Sequence, residues 1–281
     1  MNKITTYTHL QRKPDDKKPV TISTLKRMKA EGEKIASLTA YDASFAALVD
    51  EAGTDVVLVG DSLGMVINGH KTTVPVTVEQ IIYHTQAVKA GLQRAFLIAD
   101  MPFMSYADKH MALKNATRLM QEGLAHMVKL EGGELQVPTV EYLSERGVPV
   151  CAHIGLTPQY VHKMGGFKVQ GREEAAAQQM IKEAKQLQDA GAEIVLLECV
   201  PSELGKAVTE ALDVPTIGIG AGPDCDGQIL VLYDILDVTL GRKPRFAKNY
   251  MQEADDCLAA IQAYVDEVKS TAYPAPEHCF S

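Results

Sequence analysis

Residues 55–64 have the sequence DVVLVGDSLG. The four apolar β-formers at 56–59 lack the alternation of a half-exposed strand, so they predict a strand buried on both faces of a parallel sheet. The apolar run stops at Gly60, and an acid and a hydroxyl follow it. We therefore expect Asp61 and Ser62 at the carboxyl end of a core strand, in a turn where the backbone can approach a ligand. Parallel α/β folds place their chemistry at this end.

Similar apolar stretches alternate with helical segments along the chain. Predicted strands lie at 35–40, 55–60, 95–100, 125–133, 149–155, 193–198, 215–222 and in part of 229–237, and predicted helices lie at 21–32, 43–52, 76–91, 106–123, 137–147, 173–190, 202–212 and 249–270. This alternation is typical of a (β/α)8 TIM barrel, which takes about 250 residues. A doubly wound open sheet is the alternative, because no full helix is visible between the last two strands.

The domain organisation follows from this pattern. We expect residues 1–18 to form a flexible N-terminal extension and residues 19–281 to form a single barrel domain with a C-terminal helical segment. The connection at 156–173 contains several glycines and lysines. Loops of this length are usually lids or disordered, so we interpret it as a mobile flap over the site.

Composition restricts the class of protein. Of the 281 residues, 46% are hydrophobic and 23% charged, as in an ordinary globular enzyme, and no apolar run approaches the roughly 18 residues of a membrane span. The polar N-terminus does not resemble a signal peptide. A net charge of −8 argues against a nucleic-acid partner. The five cysteines form no CxxC pair, which favours a reducing compartment. We expect a cytoplasmic protein with no membrane partner.

Titratable side chains stand at the carboxyl ends of five predicted strands: Asp61, Asp100, Lys129 with Glu131, His153 and Glu198. In a barrel these ends open on one rim, so the side chains should converge. Lys129 and Glu131 should point to the same side, because side chains in a strand alternate with a period of two. Carboxylates a few ångströms apart raise one another's pKa unless a counter-charge is present. The pattern therefore predicts a divalent cation, and oxygen ligands suit Mg²⁺.

Each of these residues also has a structural interpretation. A single acid at a strand end is more often a helix cap or half of an ion pair than a ligand. Burial would raise the pKa of Glu198 toward that of a general base, but Glu198 could instead be paired with a lysine. His153 could be a packed histidine that donates to a backbone carbonyl. Lys129 could simply neutralise Glu131.

Other features carry weaker signals. The stretch IGIGAG at 217–222 is similar to a phosphate loop, but it lacks the Lys-Ser/Thr pair, so we prefer a tight turn with close backbone packing. Cys199 and Cys225 are not expected to be catalytic, because nothing basic closely flanks either thiol. Tyr106 and Tyr160 are expected to serve in packing.

Nine blocks run in order from about Thr21 to the C-terminus: LTAYDASFA (38–46), VGDSLGM (59–65), HKTTVPVT (70–77), IADMPFMSY (98–106), VKLEGG (128–133), AHIGLTPQ (152–159), GGFKVQGR (165–172), LLECVP (196–201) and IGIGAGPDCDGQILVLYD (217–234). In sequence and separation they closely resemble the ketopantoate hydroxymethyltransferase family. The one departure, PDCD at 223–226, lies in a connection expected to be variable.

The resemblance implies a (β/α)8 barrel of the phosphoenolpyruvate/pyruvate type, assembled as a decamer from two pentameric rings. It also implies a reaction in pantothenate, and hence coenzyme A, biosynthesis. A hydroxymethyl group would pass from 5,10-methylenetetrahydrofolate to 3-methyl-2-oxobutanoate, giving 2-dehydropantoate. The expected partners are therefore a keto acid, a folate and further copies of the chain.

The same resemblance implies roles for seven residues at the predicted rim. Magnesium ligands would be Asp61 and Asp100, with Glu131 supporting the metal site. The residues that would bind or adjoin the keto acid are Asp61, Ser62, Asp100, Lys129 and His153. Glu198 would be the proton acceptor.

Two other functions are considered. A carbon–carbon lyase or phosphonomutase of the same superfamily would typically carry a reactive cysteine on a basic, glycine-flanked loop, and no such segment is visible in the sequence. A non-catalytic anion-binding barrel subunit would gain no thermal stability from metal and keto acid, whereas a true site gains it by ligand linkage.

Overall fold

A computed structural model describes residues 18–241 and 243–281. Its eight strands are β1 Ile35–Thr39, β2 Val56–Val59, β3 Phe96–Asp100, β4 Met127–Glu131, β5 Val150–Gly155, β6 Ala192–Glu198, β7 Thr216–Ile219 and β8 Gly227–Leu230. They form a closed barrel in chain order. Ser37 of β1 is aligned in parallel with both Val56 and Ile229, which closes the barrel. The predicted barrel is confirmed, and the open-sheet alternative is wrong.

The helices surround this barrel and follow most of its strands. They are α1 Ile22–Glu31, α2 Ala43–Glu51, α3 Leu63–Val66, α4 Val78–Gly91, α5 Lys109–Gln121, α6 Val137–Ser144, α7 Val161–Met164, α8 Glu174–Asp189, α9 Ser202–Glu210, α10 Leu232–Ile235 and α11 Cys257–Lys269. Single 3₁₀ turns lie at Glu134–Gln136, Pro158–Tyr160 and Pro276–His278.

Local capping chemistry sets several helix ends where the sequence predicts them. The hydroxyl of Thr21 accepts the backbone N–H of Thr24 and opens α1, and Thr77 opens α4 in the same way. Gly32 ends α1 with a φ of 71°, a left-handed conformation that glycine adopts without strain.

Most predicted elements differ from the structure by up to three residues at an end, and two differ in a more substantial way. β8 begins at Gly227, and residues 232–235 of the predicted strand segment are α10. Gly227 carries no apolar signal, yet strand β1 requires it, since a Cβ there would lie 2.5 Å from the Ile35 carbonyl oxygen. The C-terminal helix begins at Cys257 instead of 249, because the Asp256 carboxylate caps the N–H of Ala259.

The connection between β7 and β8 is a tight turn without a helix. Gly220 has a φ of 61°, and a Cβ at that position would lie 2.8 Å from the Phe246 ring. The interpretation of IGIGAG as close backbone packing is therefore confirmed.

Helix α11 is attached to the seam of the barrel. The buried hydroxyl of Tyr264 lies 2.9 Å from the Ser37 carbonyl oxygen in β1 and 3.0 Å from that of Gln228 in β8. The helix therefore stabilises the junction where the barrel closes.

Residues 1–17, which make up nearly all of the predicted flexible extension, lie outside the described residues. The predicted flap at 156–173 contains a 3₁₀ turn and α7, and its mobility stays a prediction. Within residues 18–241 and 243–281, every helix is too short or too polar to cross a membrane.

Candidate active site

The barrel brings six of the predicted titratable residues to one rim. Asp61 follows β2, Asp100 ends β3, Lys129 and Glu131 lie at the end of β4, His153 lies in β5 and Glu198 ends β6. Five of the six are buried, and the Glu198 side chain is 16% exposed. The predicted convergence is confirmed.

Asp61 and Asp100 are neighbours because β2 and β3 pair directly. The backbone N–H of Asp61 donates to Asp100 Oδ2 at 2.9 Å. Gly60 keeps this turn compact, since a Cβ there would lie 2.8 Å from Ser62 Oγ and 3.5 Å from Asp100 Oδ2. Ser62 Oγ in turn lies 2.8 Å from the buried Tyr41 hydroxyl, which fixes its position at the rim.

Lys129 places one buried ammonium among these acids. Its Nζ lies 2.7 Å from Asp100 Oδ1 and 3.8 Å from Glu131 Oε1, so Lys129 and Glu131 do point to the same side. Lys129 does pair with Glu131, but Asp100 is its nearer partner, so Lys129 does not serve Glu131 alone. Burial opposes the charge of Lys129, but the carboxylates of Asp100, Glu131 and Asp61 raise its pKa.

The three carboxyl groups share too little positive charge. Burial raises the pKa of Asp61, and the neighbouring Asp100 and Glu131 carboxylates raise it further. Burial likewise raises the pKa of Asp100 and of Glu131, against the attraction of Lys129. In the described parts of the chain, no three His, Cys, Asp or Glu side chains are already arranged as a set of metal ligands. The rim is thus rich in hard oxygen donors and poor in cations.

His153 is a neutral imidazole between Lys129 and Glu198. Burial lowers the pKa of His153, and so does the Lys129 charge. Nδ1 lies 3.2 Å from Lys129 Nζ, and an ammonium can only donate, so Nδ1 accepts and the ring proton sits on Nε2. Nε2 faces Glu198 Oε2 at 3.4 Å. In the part of the chain that the structure describes, the His153 ring has no bond to a backbone carbonyl and Glu198 has no lysine partner, so both structural alternatives are wrong.

A buried glutamine that the sequence does not single out joins this cluster. Gln159 Nε2 donates to Asp61 Oδ2 at 2.9 Å, and the backbone N–H of Gln159 donates to Glu131 Oε2 at 3.0 Å. The Tyr106 hydroxyl donates to Gln159 Oε1 at 2.5 Å. Tyr106 thus contacts the site network, although the sequence predicts packing alone. Gln159 ends the block AHIGLTPQ at 152–159, but a loop glutamine has neither the charge nor the strand-end position that marks the other rim residues.

The backbone around Glu198 is closely packed. Gly155 has a φ of 91°, and a Cβ there would lie 2.3 Å from the Glu198 carbonyl oxygen. The buried Cys199 follows in a left-handed conformation. Burial raises the pKa of the Cys199 thiol and brings that of Cys225 to about 11, so both are thiols at neutral pH.

Solved structures with similar architecture are barrels of low sequence identity, which shows the fold alone. Phosphoenolpyruvate phosphomutase from Streptomyces platensis subsp. rosaceus superposes with a TM-score of 0.57 at 12% identity, over 77% of this chain and 83% of that one. Oxaloacetate acetylhydrolase superposes with a TM-score of 0.57 at 14% identity, over 92% and 100%. Both agree with the closed eight-stranded barrel of this chain.

Sequence comparison is more specific. The family model described as ketopantoate hydroxymethyltransferase matches residues 19–276. A 3-methyl-2-oxobutanoate hydroxymethyltransferase of Alkalilimnicola ehrlichii is 58% identical over 95% of this chain and 96% of its own. That of Shewanella amazonensis is 58% identical over 93% and 99%. The chain therefore belongs to the ketopantoate hydroxymethyltransferase family and is a transferase of pantothenate biosynthesis.

Proposed function

We propose that this chain uses 5,10-methylenetetrahydrofolate as one-carbon donor and Mg²⁺ as metal, and converts 3-methyl-2-oxobutanoate to 2-dehydropantoate at the described rim. The observation that carries the proposal is the convergence of acidic residues, one ammonium and a base candidate at the carboxyl ends of β2 to β6.

The donor set suits a divalent cation. Asp61 and Asp100 would hold it, with Glu131 beside them, because these buried acids have raised pKa values and share one ammonium. Bound Mg²⁺ would act as a Lewis acid that polarises the keto group and acidifies the adjacent C3–H. A phosphonopyruvate hydrolase of similar fold, with a TM-score of 0.58 at 13% identity, was solved with oxalate and Mg²⁺.

The keto acid would lie against the rim between Asp61, Ser62, Asp100 and Lys129. Lys129 is the ammonium of this cluster, and its position is fixed by Asp100. It would attract the negative charge that grows on the keto oxygen as the C3 proton leaves. Because the charge of Lys129 is already oriented, it stabilises that anion without reorganisation.

Glu198 would be the proton acceptor. Its side chain remains partly exposed, so a substrate can reach it, and the Nε2–H of His153 faces it. His153 would thereby orient the carboxylate toward C3. One water would hydrolyse the folate methylene group, so that both of its carbon–nitrogen bonds break, its two nitrogens take the water protons, and a one-carbon unit at the oxidation level of formaldehyde is released. The C3 carbanion would add to that carbon, and Glu198 would return its proton to the new alkoxide oxygen.

Substitution of Glu198 by Gln tests this assignment. Glu198→Gln should bind keto acid and Mg²⁺ within about twofold of wild type yet lose exchange of the C3 proton into deuterated water by about 10²–10⁴-fold. Proton NMR of 3-methyl-2-oxobutanoate measures the exchange rate. Glu193→Gln is the matched control, since Glu193 lies in the same strand but pairs with Lys26. Wild-type exchange in Glu198→Gln would remove Glu198 from the mechanism.

The complete reaction requires a separate assay. Formation of 2-dehydropantoate should depend on folate and should stop when a chelator is added. Turnover of 2-methylisocitrate without folate would favour the lyase alternative.

We also propose a cytoplasmic homo-oligomer, specifically a decamer. Large apolar side chains such as Leu240, Leu135 and Tyr83 are exposed in the single chain by 93%, 82% and 70%. Faces of this kind support burial against further copies of the chain. Sedimentation velocity measures the assembly, and a monomer at micromolar concentration would contradict the proposal.

A further inference from the structure

Gln159 contacts two of the rim acids at once. Its side-chain amide donates to Asp61 Oδ2 at 2.9 Å, and its backbone N–H donates to Glu131 Oε2 at 3.0 Å. The residue is 2% exposed, so water does not compete effectively for these bonds. Hydrogen bonds to charged acceptors are roughly twice as strong as neutral ones.

The surrounding groups allow only one orientation of the Gln159 amide. Nε2 also donates to the Met101 carbonyl oxygen at 3.0 Å, and a carbonyl can only accept. Oε1 must therefore face Tyr106, whose hydroxyl donates to it at 2.5 Å. The Tyr106 oxygen accepts the backbone N–H of Glu131 at 3.3 Å. Reversing the amide would place its NH₂ group against a hydroxyl and its oxygen against two acceptors.

The position of Gln159 in the chain connects this network to a loop. The residue lies in the 3₁₀ turn Pro158–Tyr160, which joins β5 to α7 and to the long segment before α8. Through one side chain the turn is bonded to Asp61 after β2 and to Met101 after β3. Its backbone is bonded to Glu131 at the end of β4.

We propose that Gln159 is a positioning residue that fixes the relative orientation of the Asp61 and Glu131 carboxylates for a divalent cation. This inference rests on the proposed function, which assigns those two acids to the cation. An aspartate carboxylate rotates easily about its last torsion. The amide of Gln159 holds one oxygen of Asp61. The carboxylate therefore loses less rotational freedom when the cation binds.

The test compares two buried glutamines. Gln159→Met removes the amide from the acids, and Gln228→Met removes a buried amide that donates to the Gly222 carbonyl oxygen in another part of the barrel. Calorimetric titration with Mg²⁺ alone should give a Kd at least about tenfold higher for Gln159→Met. The Kd of Gln228→Met should stay within about twofold of wild type. Unfolding in chelator gives the stability of both variants.

A purely structural role for Gln159 predicts a different result. Both variants would then lose stability, and both would bind Mg²⁺ with the wild-type Kd, which would overturn the inference. If Gln159→Met does not fold, Tyr106→Phe serves instead, since it removes the hydroxyl that orients the amide. A severalfold rise in its Mg²⁺ Kd supports the inference, and an unchanged Kd overturns it.

The titration contains neither keto acid nor folate, so it separates this inference from the proposed function. A wild-type protein that binds Mg²⁺ but forms no 2-dehydropantoate would refute the proposed function. The difference between the two glutamine variants would still stand.

Discussion

The two ends of the barrel differ in how many cations surround their buried acids. At the carboxyl-end rim, Lys129 is the one ammonium that the described part of the chain places among Asp61, Asp100 and Glu131. At the amino end, Asp55 alone has two cations, with Arg94 at 2.7 Å and Lys269 at 2.6 Å. It also accepts the backbone N–H of Ala36 at 3.1 Å. Nearby cations thus balance the negative charge of Asp55 at the amino end, whereas the negative charge of the rim acids is only partly balanced.

Other acids at the amino end follow the same rule. Asp50 accepts the backbone N–H groups of residues 93–95 at 3.1, 3.0 and 2.8 Å. Asp226 pairs with Lys29 at 2.7 Å and accepts the N–H of Thr216 at 2.8 Å. In a barrel of this class the amino end serves stability and the carboxyl end serves chemistry. Among these buried acids, the ones with too little positive charge lie at the end where a cation and a substrate are proposed to bind.

The largest expected effect comes from removing a rim acid. Asp61→Asn should lower turnover by about a thousandfold, because a Lewis acid is worth several kcal/mol and its ligand is lost. The same change should stabilise the metal-free protein by about 1–2 kcal/mol, since burial and two neighbouring carboxylates raise the pKa of Asp61 and make its ionisation unfavourable in the fold.

Urea unfolding at pH 7.5 in chelator, together with the steady-state rate in Mg²⁺, measures both effects. The Asn oxygen can still accept the amide proton of Gln159. Loss of that hydrogen bond therefore does not contribute to the measured change in stability. A destabilised Asp61→Asn would mean that the rim is not short of positive charge.

The amino end should give the opposite result. Asp55→Asn leaves Arg94 and Lys269 without their shared carboxylate, so the free energy of unfolding should fall by about 2–3 kcal/mol. The turnover number at saturating substrate should stay within about twofold, because this end is distant from the rim. Thermal unfolding and initial rates measure the two quantities. Equal stability in wild type and variant would contradict the claim that acids at the amino end serve stability and acids at the rim serve chemistry.

The smallest effect is a pH dependence at the amino end. His126 precedes β4, and its Nδ1 accepts the Leu97 N–H at 3.1 Å. Burial lowers the pKa of His126, and so does the Lys89 charge. Stability from a lowered histidine pKa is present above the unfolded value of about 6.5 and is lost as pH falls through the folded pKa.

His126→Asn should therefore lose less stability than wild type between pH 7.5 and pH 5, by under about 1 kcal/mol. The Asn oxygen can replace Nδ1 as the acceptor for Leu97. Denaturant unfolding at both pH values gives the difference, and identical losses in the two proteins would exclude His126 as a source of acid sensitivity.

Sequence reasoning succeeds at the rim where residues stand next to a strand. Asp61, Asp100 and Glu198 each follow or end an apolar run, so the period and the stop of that run place them. It is less successful where a position depends on another strand. Gly227 opens β8 because β1 leaves no room for a side chain there, and a short Gly-Gln segment shows nothing of this.

The sequence alone determines the barrel, its rim and the family, because the spacing of apolar runs and the short motifs beside them are local properties. Only the closed barrel shows which acid lies nearest to Lys129 and which nitrogen of His153 carries the proton. It also shows that Gln159 bridges Asp61 and Glu131. These contacts join residues up to 98 positions apart, and their distances depend on strand register and burial, which no local pattern encodes.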